Sequence, residues 1–219
     1  MNIVTLGFAV LLTSTNGMAQ ENLQTIQTVS HKGDKTEHNG AKLYVDKGCV
    51  ACHGKNGNVP TQLQYPKLAG QNKEYIIAQI DDIKNGLRTN GHSIVMRGTI
   101  IVDKHEMGII AEWLESLPVN IIEENFKNTK GAELFKSKSC NICHGDDTQS
   151  PSLSVYPKLA GQNKIYSLTQ MKDIKSGERN NGNSAAMQGI LHDLTEQEMA
   201  ILAEWLESVT ENELSLADK

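Results

Sequence analysis

The sequence predicts an all-α protein built as two tandem copies of one small domain, and three observations carry that prediction. Shifted by 91 residues, positions 43–98 fall on positions 134–189 without a gap, and about half of the aligned residues are identical. Within each copy the apolar residues recur every three or four positions, the period of one face of a helix. No stretch alternates apolar and polar residues long enough to read as a strand. Two copies are too few for a stacked solenoid, so the pattern is a duplicated domain of roughly 90 residues.

Taken in order, the chain opens on an uncharged apolar run, Ile3 to Leu12, followed by Gly17-Met18-Ala19. Small residues at 17 and 19 suit a signal peptidase, so residues 1–19 are expected to be a secretory signal, with a buried N-terminal helix or an uncleaved anchor as the alternative. Residues 20–39 are polar and aperiodic and read as a flexible leader. The first domain is placed at 40–117. Gly40 opens a short amphipathic stretch that ends at Cys49. Lys73 to Asn85 sets Ile77, Ile80 and Ile83 on one helical face, and Gly86 stops it. The last helix starts at Asp103, whose pairing with Glu106 is a capping box, and its stripe is Met107, Ile110, Ala111 and Leu114. Residues 118–124 read as a linker. The second domain, 125–219, repeats the series. Gly131 opens it, Leu168, Met171 and Ile174 form the middle face, Gly177 stops it, and Thr195 with Glu198 caps a helix striped by Met199, Leu202, Ala203 and Leu206. One extra residue enters after Gly189 and moves the offset to 92.

Composition narrows the function. The chain has 21 basic and 26 acidic side chains, a formal net charge of −5, and so lacks the basic excess that a nucleic-acid binder spends on phosphates. No apolar run reaches the ~18 residues of a membrane span. Aromatic residues are only 5% of the chain. That is thin for two small cores, at a size where a staple or a cofactor begins to matter.

The four cysteines form two identical clusters, Cys49-Val50-Ala51-Cys52-His53 and Cys140-Asn141-Ile142-Cys143-His144, which match the Cys-x-x-Cys-His haem-attachment pattern. Two thiols three residues apart on one turn can each reach one vinyl group of the same porphyrin, and the adjoining histidine is then held beneath the iron. A disulfide framework suits an exported protein but does not explain the histidine after each pair. A redox-active Cys-x-x-Cys would follow a strand, and a single Cys₄ zinc site would have to join pairs about 90 residues apart. The second axial ligand is chosen by elimination. Met1 and Met18 lie in the signal, Met107 and Met199 belong to a helix stripe, and Met171 replaces Ile80. Met96 and Met187 remain, each 43 residues after its histidine, in polar Gly-rich segments that read as loops able to swing a thioether toward iron. His92 is a rival to Met96, but its counterpart is Asn183; His105 and His192 read as surface residues.

On these residues each half resembles a class I cytochrome c domain, and the whole is similar to the two-haem cytochrome c4 family. The motifs are Cys-x-x-Cys-His, Tyr65-Pro66-Lys67-Leu68-Ala69-Gly70-Gln71 with its copy from Tyr156, and the loop methionine, and the likeness covers nearly all of the mature chain. It implies two covalently bound haem c groups, anchored by Cys49 and Cys52 and by Cys140 and Cys143, with His53 and Met96, and His144 and Met187, as axial ligands. It implies that the Pro66 and Pro157 carbonyls accept the histidines' other ring N–H, that Leu68 and Leu159 pack on haem, and that Tyr44 with Trp113 and Phe135 with Trp205 sit where first and last helices cross. Arg88 and Arg179 are candidates for a haem propionate or for the solvent, and Lys67, Lys158, Gln71 and Gln162 are weaker ones. The implied function is an exported, periplasmic electron shuttle in a respiratory chain, not an enzyme, with its haems meeting across the domain interface. Its donor would be a quinol-oxidising complex or a dehydrogenase and its acceptor a terminal oxidase, with no nucleic acid, no integral span, and room for peripheral membrane association. A haem subunit of a dehydrogenase complex and a dihaem peroxidase-like enzyme are the alternatives.

Overall fold

The computed structural model describes residues 33–126 and 129–210. The expected signal and the leader up to residue 32 lie outside them, as do residues 211–219. The described residues are helical, with a single isolated bridge between Ile121 and Thr210. The first copy runs α1 (Gly33–Asp46), α2 (Val50–His53), a 3₁₀ turn (Lys55–Gly57), α3 (Lys73–Lys84), α4 (Ser93–Thr99) and α5 (Lys104–Ser116). After a second 3₁₀ turn (Glu123–Phe126), the copy repeats as α6 (Lys130–Ser137), α7 (Asn141–His144), α8 (Lys164–Ser176), α9 (Ser184–Leu191) and α10 (Glu196–Ser208).

The middle and last helices form for the reasons their sequences give. Asp103 and Thr195 each accept a hydrogen bond from the amide three residues on, and the Glu106 and Glu198 carboxylates each accept one from the cap's own N–H. Gly86 and Gly177 follow α3 and α8 at φ 76° and 83°, the left-handed conformation that a helix stop requires. The stripes of α5 and α10 are buried as read. On α3 the face is turned slightly: Ile76 and Ile83 are buried, while Ile77 and Ile80 are only partly covered. In α8 position 76 is matched by Ser167, and there Met171 and Ile174 take the buried face.

Three expectations change. Residues 33–39 are helix, part of α1, not leader. Gly40 therefore lies inside a helix and does not open one. Its role is close approach: a Cβ at Gly40 would stand 2.2 Å from Trp113 Cβ, and one at Gly131 2.1 Å from Trp205 Cβ. The missing side chains let α1 touch α5 and α6 touch α10. Tyr44 then meets Trp113 at 5.1 Å between ring centroids and Phe135 meets Trp205 at 5.2 Å. Residues 118–124 are also more than a spacer. Ile122 N–H donates to the Val209 carbonyl at 2.9 Å, Trp205 Nε1 donates to the Asn125 carbonyl at 2.8 Å, and Phe126 packs edge-on against Trp205. The linker thus becomes part of the second copy's wall.

Residues 36–210 hold both copies in one compact unit. The join is polar and reciprocal. Lys67 N–H donates to Gln162 Oε1 and Gln162 Nε2 to the Lys67 carbonyl, at 2.8 and 2.9 Å. The mirror pair runs between Gln71 and the Lys158 backbone, both bonds 2.9 Å. Asn72 Nδ2 donates to the Tyr156 carbonyl and Asn163 Nδ2 to the Tyr65 carbonyl, each at 2.8 Å.

Candidate functional site

Each cysteine pair sits on one turn. Cys49 and Cys140 precede α2 and α7, and Cys52 and Cys143 lie one position before the histidines that end those helices. The entry is tight: Gly48 has φ 77° and its counterpart Ser139 φ 60°. All four thiols are free and partly exposed. Burial pushes the Cys49 and Cys140 thiols up, Cys140 to about 11, so both are neutral S–H groups before attachment. Among the described residues no three His, Cys, Asp or Glu side chains converge to hold a bare ion, so a Cys₄ zinc site has no geometry here.

His53 and His144 are buried against the turn that carries the repeated Tyr-Pro-Lys-Leu segment. Their Nδ1 atoms lie 3.0 and 2.9 Å from the carbonyls of Pro66 and Pro157, where Nδ1–H is the donor. Burial lowers the affinity of both rings for a second proton, and outweighs the opposite pull of the Pro carbonyl. The rings are therefore neutral, with the proton on Nδ1, and Nε2 is left as a bare lone pair with no hydrogen-bond partner among the described residues. That is the donor an iron takes, next to two thiols on the same turn, so these residues fit an attached haem. In the first copy Tyr44 Oη donates to the Gly54 carbonyl at 2.8 Å and pins the turn; Phe135 cannot do so in the second.

The residues on either side of each Pro are held from the other copy. Tyr65 and Lys67 flank Pro66, and their carbonyls accept from Asn163 and Gln162; Tyr156 and Lys158 flank Pro157 and accept from Asn72 and Gln71. The acceptor that orients one histidine is thus braced by the opposite domain. Gln71 and Gln162, weak candidates for a haem propionate, are used here instead.

Met96 and Met187 are not on loops. They lie half-buried on α4 and α9, whose Ser93 and Ser184 are buried and whose Met amides donate to the carbonyls of His92 and Asn183. The Gly-rich composition that suggested loops comes from the turns at Gly91 and Gly182 (both φ 51°) and from Gly98 and Gly189 inside the helices. Met107, Met171 and Met199 are core residues, as read. His92 and His105 are exposed; His92 sits edge-on to Tyr65 at 5.3 Å, and the exposed His192 pairs with Asp193. Leu68 and Leu159 are half-buried against the two cores, with their amides on the Gly57 and Thr148 carbonyls.

Arg88 and Arg179 are not solvent-facing. Both are buried in a polar cluster between the copies. Arg88 donates through Nε to Asn90, through Nη1 to Gln79, and through Nη2 to Tyr166 and Gln170. Arg179 repeats this with Asn181, Gln170, Tyr75 and Gln79. Asn90 and Asn181 complete the ring by donating to Asp173 and Asp82. Burial opposes ionisation of Tyr166, but the two guanidiniums beside it outweigh that and bring its phenol below its ordinary value. Each arginine has five N–H donors, and at least four of them are used within the cluster. The sequence held a signal for this cluster: Tyr75, Gln79, Asp82, Arg88 and Asn90 are all identical in the second copy, although a helical core needs none of them.

A model of the Cytochrome c family matches residues 37–118 and again 129–210. Cytochrome c4 of Pseudomonas aeruginosa is 30% identical over 172 residues, covering 74% of this chain and 83% of that one. A protein of Stutzerimonas stutzeri called thiosulfate dehydrogenase electron acceptor is 26% identical over 202 residues, 87% of this chain and 92% of its own. Among solved structures, reduced recombinant cytochrome c4 from Pseudomonas stutzeri superposes with a TM-score of 0.61 at 25% identity, over 80% of this chain and 98% of that one.

Proposed function

We propose that this chain, which belongs to the cytochrome c family as a dihaem member of the cytochrome c4 group, is an exported shuttle whose two irons are each held by a histidine and a methionine. It carries two covalently bound haem c groups and is an electron-transfer protein, not an enzyme. Bound haem supplies a reversible one-electron iron couple. The chain supplies everything that fixes it. Cys49 with Cys52, and Cys140 with Cys143, anchor it as thioethers. His53 and His144 give Nε2, aimed by the Pro66 and Pro157 carbonyls, which also raise each ring's donor strength. Met96 and Met187 would supply the second ligand to each iron, and a soft thioether would favour its reduced state. Arg88 and Arg179, the paired guanidiniums of the buried cluster, are the groups suited to a haem carboxylate.

The observation that carries this reading is the twice-built unit of paired thiols, neutral buried histidine, free Nε2 and Pro carbonyl at 3.0 and 2.9 Å. With a histidine and a methionine to supply in each half, neither iron would keep an open site for substrate, which favours a shuttle over a peroxidase. We place the protein in the periplasm, between a quinol-oxidising complex or a dehydrogenase and a terminal oxidase. The relative named for thiosulfate dehydrogenase favours a dehydrogenase among these donors. The test is a visible spectrum with a pyridine haemochrome assay. Two haems per chain, the weak far-red methionine-to-ferric-iron band, and no carbon monoxide binding at neutral pH are expected. Met96→Ala should remove half of that band and lower one potential. One haem per chain, or an unaltered band in the variant, would refute the ligand set.

A further inference from the structure

We propose that the first domain, and not the second, presents a docking face for a redox protein whose contact surface is apolar at its centre and carboxylate-rich at its rim. The word redox rests on the electron-carrier reading; the face itself rests on exposure and charge. It is made by the turn after α3, the outer side of α4 and the entry to α5. Leu87, Ile94, Val95 and Ile101 are all more than half exposed there, Ile101 at 70%. Water is a poor neighbour for four large apolar side chains gathered in one region, and such gathering marks contact surfaces. Residues 94 and 97 lie one turn apart on α4, and Ile101 follows just past its extended exit residue, Ile100. The Arg97 guanidinium folds back over Gly86, beside Leu87, where a Cβ would lie 2.8 Å from Nη1.

The charges around this centre are basic. Arg97, Lys104, His92 and His105 are exposed. The carboxylates nearby are already engaged: Glu106 pairs with Lys47 at 2.7 Å, and Asp103 accepts from the Glu106 amide as a helix cap. Lys47 and Lys84 also direct their ammonium groups at the Ile101 and Val102 carbonyls.

The second copy is an internal control. It keeps the turn, the helices and the methionine, so a structural requirement would keep the surface as well. Instead Glu178 replaces Leu87, Ala185 and Ala186 replace Ile94 and Val95, and Gln188 replaces Arg97; past the extra residue, Asp193 and Glu196 replace Ile101 and Lys104. An apolar centre in a basic rim has become two alanines, one exposed isoleucine (Ile190) and three carboxylates, of which Asp193 and Glu196 are paired with His192 and Lys172 and Glu178 has no acidic counterpart in the first copy. Exposed apolar side chains near the cysteine turns, by contrast, occur in both copies, as Leu63, Ile142 and Leu153, and do not separate them. A carboxylate-rimmed partner is attracted to the first face and repelled by the second, which fixes its orientation as well as its rate of encounter.

The test titrates the reduced, ¹⁵N-labelled holoprotein with two synthetic amphipathic helices, each a leucine stripe flanked either by glutamates or by lysines. The glutamate peptide should shift resonances at 87, 94–97 and 101–105 well before those at 178–197, and added salt should weaken it. Arg97→Gln with Lys104→Glu, the residues the second copy uses, should weaken binding about fivefold, the scale of rim charges. Ile94→Ala with Val95→Ala should weaken it without changing the salt dependence. No binding, equal shifts in both domains, equal binding of the lysine peptide, or full affinity in the charge variant would overturn the proposal. So would shifts that grow with protein concentration alone, which would assign the face to a second copy of the chain. A missing far-red band once the same protein is oxidised would refute the ligand set and leave this result standing.

Discussion

Thr148 shows how much a single position can carry. Its backbone has φ 57°, a left-handed conformation that a β-branched residue rarely adopts, and its side chain is completely buried with an unpartnered hydroxyl. The same turn in the first copy is Gly57, at φ 66°. Left-handed strain and an orphan hydroxyl each cost roughly 1–2 kcal/mol, and only the buried methyl offsets them. Thr148→Gly should therefore stabilise the second domain by about 1 kcal/mol, read as a higher urea midpoint with an unchanged slope. A lower midpoint would mean that the hydroxyl has a partner in the haem-loaded protein. The histidines are the opposite case. Their ring protons, tautomer and acceptor agree between copies to within 0.1 Å, 3.0 against 2.9 Å, although the turns that carry them differ at several positions.

Helices whose information is local were legible. The boxes at Asp103–Glu106 and Thr195–Glu198, the stops at Gly86 and Gly177, and the stripes of α5 and α10 all arise within a few residues of one another. Thr195→Ala should cost about 1 kcal/mol, because it removes the acceptor for the Glu198 amide at the start of α10, while α5 keeps its cap. A domain-resolved hydrogen-exchange measurement should find faster opening at 195–198 and no change at 103–106. Elements set by distant contacts were not legible. Gly40 looks like a helix start, and only the Trp113 ring against it shows that it is a crossing point. Short α4 and α9 were hidden by internal Gly98 and Gly189, which count against a helix in isolation and are tolerated when Ser93 and Ser184 are buried. The paired thiols and the histidine after each pair stand out in the sequence because the Cys-x-x-Cys-His pattern has a fixed local spacing. The polar cluster of Arg88, Gln79, Tyr166 and Asn90 does not, because the partners that close it across the copies, Tyr166 and Gln170, lie about 80 residues away.

At the scale of the whole molecule the two domains share more than a chain. Gln71 and Gln162 each place both ends of one amide on the backbone of the opposite copy. Gln71→Ala with Gln162→Ala deletes these four bonds, worth about 0.5–1.5 kcal/mol apiece. One cooperative urea transition should then separate into two, with each domain still folded. Because the same bonds brace Lys67 and Lys158, the residues that follow Pro66 and Pro157, both haem potentials should move together. A single transition and unmoved potentials would mean that the arginine cluster and the Asn72 and Asn163 bonds are enough to hold the interface.

The reciprocity of that interface has a further consequence. Residue i meeting j while j's counterpart meets i's is the contact by which two identical subunits recognise each other around a two-fold axis. A single-copy forerunner with this surface would have been a homodimer, subject to mass action and dissociating on dilution. Tethering the copies makes the encounter intramolecular, at an effective concentration on the order of millimolar. It also frees the two halves from having one sequence. Only then can Ile94 in one half become Ala185 in the other, so that a symmetric pair acquires two different ends.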